Sequence, residues 1–279
     1  MVTSFLLVSG ASLLAVVVLM AVTAWIAHRI GKVSVVDTSW GLGFVLIALV
    51  AALLGGPIAG GDAARRWVLL GLVGSWGLRL AWHMHRRNRG QAEDKRYAAM
   101  LGDAPFSVAI RKVFATQAIA LWFVSLPIQV SAVAGDGVAW VLVAGISLWL
   151  VGALFETIGD AQLAAYKRDP ERGPVMDRGL WAWTRHPNYF GDACVWWGIF
   201  VVSASAWPGV LTIASPVVMT YFLVFATGAR LLEKQMAGRP GWEDYAARTS
   251  MFVPRPPRRV QPSHRTVSRL PWRRRPAAR

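Results

Sequence analysis

Apolar residues run along this chain in long stretches parted by short polar connections, at 3–27, 41–59, 67–83, 107–134, 138–165, 189–206 and 207–231. Each stretch is close to or above the roughly 20 residues that a helix needs to cross a bilayer. The pattern predicts an all-α integral membrane protein of about seven transmembrane helices. The first stretch has no basic segment before it and no small-residue cleavage site after it, so it reads as a span and not as a removable leader. Between the last two, Ala206-Trp207-Pro208-Gly209 leaves almost no linker, as in a tight helical hairpin.

The basic residues give the expected orientation. Segments 28–32, 86–112 and 167–186 and everything after residue 254 are rich in Lys and Arg, whereas 132–137 and 203–208 contain neither. This alternation predicts an N-terminus outside and a C-terminus inside. The connection Gly60 to Arg66 runs against it, because it would carry Arg65 and Arg66 outside. Composition agrees with a membrane bundle: of 279 residues 55% are hydrophobic and only 16% charged, against roughly 25% charged in a soluble domain. One domain over residues 1–254 is expected. Nine of the net fifteen positive charges are arginines in 255–279, a segment without Asp or Glu that reads as a disordered cytoplasmic tail meeting anionic membrane lipids. No groove-reading module accompanies the charge, so no nucleic acid is expected. A single cysteine, Cys194, excludes a disulfide framework and a multi-cysteine metal site. No metal is expected, nor the inverted repeat of many transporters.

The densest chemistry lies in 178–192. Gly179 suits a turn with positive φ and Pro187 the first turn of a helix, so Arg185 and His186 stand beside free amides, a natural anion site. The alternative is an interfacial anchor, with Trp181, Trp183 and Tyr189 as an aromatic belt. Upstream, Glu156, Asp160 and Lys167 fall on nearly one helical face. Carboxylates in an apolar span are costly and so are functional candidates, unless they only tie to Arg79, Arg185 or Arg230. Arg230 and Lys234 lie one turn apart, and Arg248 follows Tyr245 by three residues. Together they suit a cationic flap over the loop at Arg185, or a surface helix on lipid phosphates. In the N-terminal half, Asp37 and Arg79 stand where charge is expensive, either as an ion pair or with Asp37 polarising a substrate oxygen. Tyr97 is a candidate hydrogen-bond donor or a surface tyrosine.

Gly179-Leu180-Trp181, Asn188-Tyr189-Phe190-Gly191-Asp192 and the run from Glu243-Asp244-Tyr245 to Phe252-Val253-Pro254 resemble the C-terminal domain of the steroid 5α-reductases. The resemblance is nearest to a bacterial branch of uncharacterised membrane proteins that also carry strings like Asp37-Thr38-Ser39-Trp40-Gly41 and Glu93-Asp94-Lys95-Arg96-Tyr97. It implies a seven-span bundle in the bacterial inner membrane, with substrate-side helices in 1–134 and a cofactor-binding half in 135–254. NADPH would be held on the cytoplasmic side, and a steroid-like or other lipid enone would enter from the bilayer; a monomer is expected. By the motifs, Asp160, Lys167, Asn188 and Asp192 match polar cofactor positions, with Glu156 where the steroid enzymes have Asn. Arg230 matches an Arg before the last cofactor-contacting turn, and Lys234 stands where His is usual. The Gln-Glu pair that polarises the steroid carbonyl has no counterpart, and Asp37 is the nearest acid.

A rival resemblance joins Arg185-His186-Pro187-Asn188-Tyr189 and Glu233 to the S-adenosylmethionine site of isoprenylcysteine and phospholipid methyltransferases. Those usually carry two consecutive Glu after the last span, where Glu233 is here followed by Lys234. A non-catalytic lipid-binding protein is the third reading, and it leaves Glu156, Asp160 and Asp192 without a purpose.

Overall fold

A computed structural model describes residues 1–258 except Thr227. The expected tail from residue 259 onward lies outside the described residues. The described chain is all-α, apart from one isolated parallel bridge between Thr184 and Ser250. In chain order the helices are α1 (Val2–Ile30), α2 (Val36–Ala59), α3 (Ala63–Asn88), α4 (Lys95–Leu101), α5 (Phe106–Val124, with a π-helical middle at Ile110–Ala115) and α6 (Leu126–Val133). There follow α7 (Ala139–Arg168), α8 (Pro187–Ala204), α9 (Ala214–Tyr221, running into a π turn at Phe222–Ala226), α10 (Ala229–Met236) and α11 (Trp242–Arg248).

Five helical stretches are long and apolar enough to cross a membrane: Val2–Ile30, Val33–Ala59, Phe106–Val124, Ala139–Arg168 and Gly209–Met236. The chain is an integral membrane protein on that ground. The other two expected spans are helices as well, but they carry the polar groups: Arg65, Arg66 and Arg79 on α3, Asn188 and Asp192 on α8. Both are enclosed. Helix α8 packs against α7, α9, α6 and α3, and Trp196 on it is fully buried against Phe44 and Trp76.

The α7–α8 contact explains how two helices meet so closely. Gly145, Gly152 and Gly159 recur every seven residues on α7, as Gly191 and Gly198 do on α8. A seven-residue period keeps one stripe facing a partner helix, and small residues let the backbones touch. A Cβ at Gly198 would stand 2.6 Å from the Trp149 amide nitrogen and 2.8 Å from the Gly145 carbonyl oxygen. Gly191 lies likewise on the backbone of Glu156, so the stripe presses the chemistry-bearing turns of α7 and α8 together.

Two expectations change in detail. The stretch 107–134 is two helices, because Pro127 breaks the ladder at Ser125. In lipid the freed carbonyls need protein donors. Trp122 O accepts from Ser125 Oγ at 2.9 Å and Gln129 Nε2 at 2.8 Å; Val124 O accepts from Ser215 Oγ at 2.5 Å, and Pro127 O from Ser203 Oγ at 2.8 Å. The second change is at Arg65 and Arg66, expected as loop charges. Arg65 is 1% exposed and donates to the carbonyls of Ala134 at 2.7 Å and Gly135 at 2.6 Å, finishing α6. Arg66 donates to Ala52 O at 2.6 Å, within the turn that Pro57 disturbs in α2. Both guanidiniums satisfy backbone carbonyls.

Gly198→Ala is expected to lower thermal stability by about 1–3 kcal/mol, the cost of overpacking a tight contact. Gly71→Ala, on an α3 face with nothing within 4 Å, should be neutral or stabilising by about 0.5–1 kcal/mol. Reversible unfolding in mixed micelles compares the two, and equal effects would remove the packing role of the stripe.

Candidate functional site

Four charged side chains meet at the end of the bundle formed by α3, α7 and α8. Arg79 of α3 forms an ion pair with Glu156 and reaches Asp160 Oδ2 at 3.3 Å. Glu156, only 4% exposed, also accepts from the indole nitrogen of Trp76 at 2.9 Å. Asp160 Oδ1 accepts from Asn188 Nδ2 at 3.2 Å. Asp192 follows Asn188 by one turn and so lies on the same face of α8. Its Oδ1 is shielded from solvent and has no hydrogen-bond partner, although Glu156, Arg79 and Asp160 are all within electrostatic reach. Of the three arginines proposed as partners for the α7 carboxylates, Arg79 is the one in place. Trp76 was not anticipated as a polar partner; its position three residues before Arg79, on the same helical face, was the available signal.

Asp37 does not pair with Arg79. It stands in the first turn of α2, where Tyr97 Oη donates to its Oδ1 at 2.7 Å and Arg87 and Arg96 reach its Oδ2 at 3.3 and 3.2 Å. The segment 88–94 folds over this turn: Glu93 accepts from the amides of Val33 and Ser34, and Lys32 Nζ donates to the carbonyls of Asn88 at 2.7 Å and Gln91 at 2.9 Å. Glu93 thereby caps, from sixty residues away, the 3-10 turn Val33–Val35 that leads into α2. Tyr97 is buried, and burial, followed by the charge of Asp37, holds its hydroxyl above the ordinary phenol range. The hydrogen bond from Arg96 holds the Asp94 carboxyl below the usual carboxylate range. Tyr189 joins the two groups, within electrostatic reach of Arg87 and Arg96 as well as Asp160 and Asp192.

Gly179 takes a φ of 60° and α8 begins at Pro187, as expected. The anion beside Arg185 and His186 is the carboxylate of Glu233 on α10. Arg185 grips it through Nε at 2.6 Å and a second nitrogen at 2.9 Å, and His186 Nε2 lies 3.2 Å away. The remaining Arg185 nitrogen donates to Ala246 O at 2.6 Å and Thr249 O at 2.7 Å, closing the end of α11. Tyr245 Oη donates to Trp181 O at 2.7 Å, a buried contact that raises its hydroxyl above the usual phenol range. Arg248 is paired with Asp177. The clasp extends to Arg255 and Arg258, whose amides donate to Trp183 O at 3.0 Å and Arg248 O at 2.8 Å, so the chain is held through 258. Lys167, Arg230 and Lys234 are exposed, and Arg230 stacks on Phe225 at 4.5 Å. Lys167 lies seven residues beyond Asp160, about 10 Å along the helix, and does not join the carboxylates. It ends α7 near a cavity of 310 Å³ lined by Gln162, Tyr166, Asp169, Arg178 and Gly179.

Arg185→Lys should loosen this clasp, since an ammonium cannot reproduce the planar fork on Glu233 together with both carbonyl contacts. Faster proteolysis within 237–250, with the bundle still folded, is the expected result; unchanged cleavage would separate Arg185 from the docking of α11.

No curated protein and no solved structure matches the chain. A family model described as "Protein of unknown function (DUF1295)" matches residues 23–249, a segment that contains Asp37, Arg79, Tyr97, Glu156, Asp160, Arg185, Asp192 and Glu233. The chain belongs to the DUF1295 family.

Proposed function

We propose that this protein is a membrane-embedded, NADPH-dependent reductase of an activated carbon–carbon double bond in a steroid-like or other lipid enone. The observation that carries the reading is the contact of the Tyr97 hydroxyl with Asp37 at 2.7 Å, in a chain whose Asp160, Asn188 and Asp192 offer polar groups for a cofactor. A buried hydroxyl aimed by a fixed carboxylate is the group that a developing enolate oxygen requires.

The residues fit the cofactor. Asn188, Asp160 and the unpartnered Asp192 Oδ1 offer acceptors and a donor for ribose hydroxyls or a carboxamide. Arg185 and Arg248 are committed to Glu233 and Asp177, so Lys167, Arg230 and Lys234 are the cations for phosphates. Bound there, NADPH supplies a hydride for the β-carbon of the enone. Asp37 orients the Tyr97 hydroxyl, which turns to the carbonyl oxygen, and Arg87 and Arg96 hold Asp37 in place. Seven spans, an outside N-terminus and an inner-membrane location with the site facing the cytoplasm belong to the same proposal. The connection Gly60 to Arg66 runs against that orientation, and Arg65 and Arg66 in it donate to backbone carbonyls.

A methyltransferase is the second reading, favoured by one observation: Arg185, His186 and Glu233, three of the residues of that resemblance, form a single contact. Thermal stabilisation of the detergent-solubilised protein separates the two. NADPH at a hundred times its dissociation constant should add about 2.7 kcal/mol, and S-adenosylmethionine nothing; the reverse would make the protein a methyltransferase. Asp160→Ala and Asn188→Ala should each weaken NADPH binding about tenfold, the loss of one to two hydrogen bonds to a polar ligand. Asp37→Asn should lower enone turnover more than cofactor affinity, and unchanged binding in both site variants would remove the site assignment.

A further inference from the structure

Every positive charge around the carboxylates can be accounted for. Asp37 and Asp94 face Arg87 and Arg96, two carboxylates against two guanidiniums. Arg185 and His186 share Glu233. Across α3, α7 and α8, however, Glu156, Asp160 and Asp192 have Arg79 as their one facing cation among the described residues, and Asp192 Oδ1 has no donor among them. A solvent-shielded oxygen without a partner, in a set with excess negative charge, is costly inside an apolar bundle. A group that brings positive charge lowers that cost. The set is also reachable, since Asp160 is 14% and Arg79 25% exposed at its open side while Glu156 forms its floor at 5%.

We infer that Glu156, Asp160 and Asp192 form a site for the cationic centre of a nucleoside cofactor, with Asp192 Oδ1 as its unpaired acceptor. The ligand chemistry is a delocalised or onium cation, as in the pyridinium ring of an oxidised nicotinamide or the sulfonium of S-adenosylmethionine. The inference rests on the cofactor site proposed above but not on hydride chemistry. For a reductase it has a definite consequence: the site favours the oxidised ring, so positive charge that develops on the ring during hydride release is stabilised where it forms.

Binding alone tests it, with the full chain in detergent and two ligand pairs whose members differ by one positive charge at one atom: NADP+ against NADPH, and S-adenosylmethionine against S-adenosylhomocysteine. The charged member of one pair should bind about tenfold more tightly, measured calorimetrically, and Asp192→Asn should remove most of that preference without changing the apo melting temperature. Asp160→Asn, at the exposed rim, should narrow it too and covers the case in which the Asp192 variant fails to fold. A preference within the nicotinamide pair supports both this inference and the reductase. A preference only within the sulfonium pair keeps the cation site and overturns the reductase. Binding without a preference in either pair overturns the cation site while leaving the cofactor site standing, and no binding of any of the four overturns both.

Discussion

The ion pair between Arg79 and Glu156 is the interaction on which the polar end of this bundle depends. It links α3 to α7, Trp76 fixes the second oxygen of Glu156, and Asp160 extends the contact through Asn188 to α8. Removing Arg79 would leave uncompensated carboxylates in an apolar interior, which costs about 3–5 kcal/mol where measured in buried pairs. The glycine stripe makes the geometry possible. Without the close approach at Gly152, Gly191 and Gly198, the carboxylates of α7 and the polar turn of α8 would stand too far apart to share one guanidinium.

Charge within the helices of this protein does two different jobs, and burial alone does not distinguish them. Arg65 is as buried as any side chain in the molecule, yet each of its contacts is to a serine hydroxyl or a carbonyl left open by a helix end. Its role follows from the bilayer, where a backbone group without a partner is more expensive than a buried arginine with several. Asp192 is the opposite case, because its oxygen satisfies nothing in the described chain. Saturation therefore separates scaffold from site better than depth does.

Helix existence was legible in the sequence because a bilayer imposes one length and one polarity on whatever crosses it. Proximity was legible only where it was local. Asn188 and Asp192 are one turn apart and needed no tertiary information to share a face, and neither did Glu156 and Asp160. The capping of the turn before α2 by Glu93, the break that Ser203 and Ser215 stabilise, and the choice of Arg79 as partner to Glu156 all join residues fifty or more positions apart. Periodicity holds no record of such pairings. The seven-residue glycine repeat was present in the sequence and could have placed α7 on α8 beforehand.

The cationic flap expected over Arg185 takes a different form, with consequences for how a ligand would enter. Arg185 turns its charge inward to Glu233 and Arg248 pairs with Asp177 nearer the surface, so the C-terminal segment is fastened by the chain's own carboxylates. A preformed cover lowers the ordering cost that a ligand would otherwise bear. On the proposed cofactor reading, the exposed Lys167, Arg230 and Lys234 would serve long-range attraction of an anionic ligand, and discrimination would fall to the acidic set of α7 and α8. Attraction by phosphate and selection by the charge of the reacting group would then rest on different residues, so an Asp192 variant would alter selection while leaving the attraction intact.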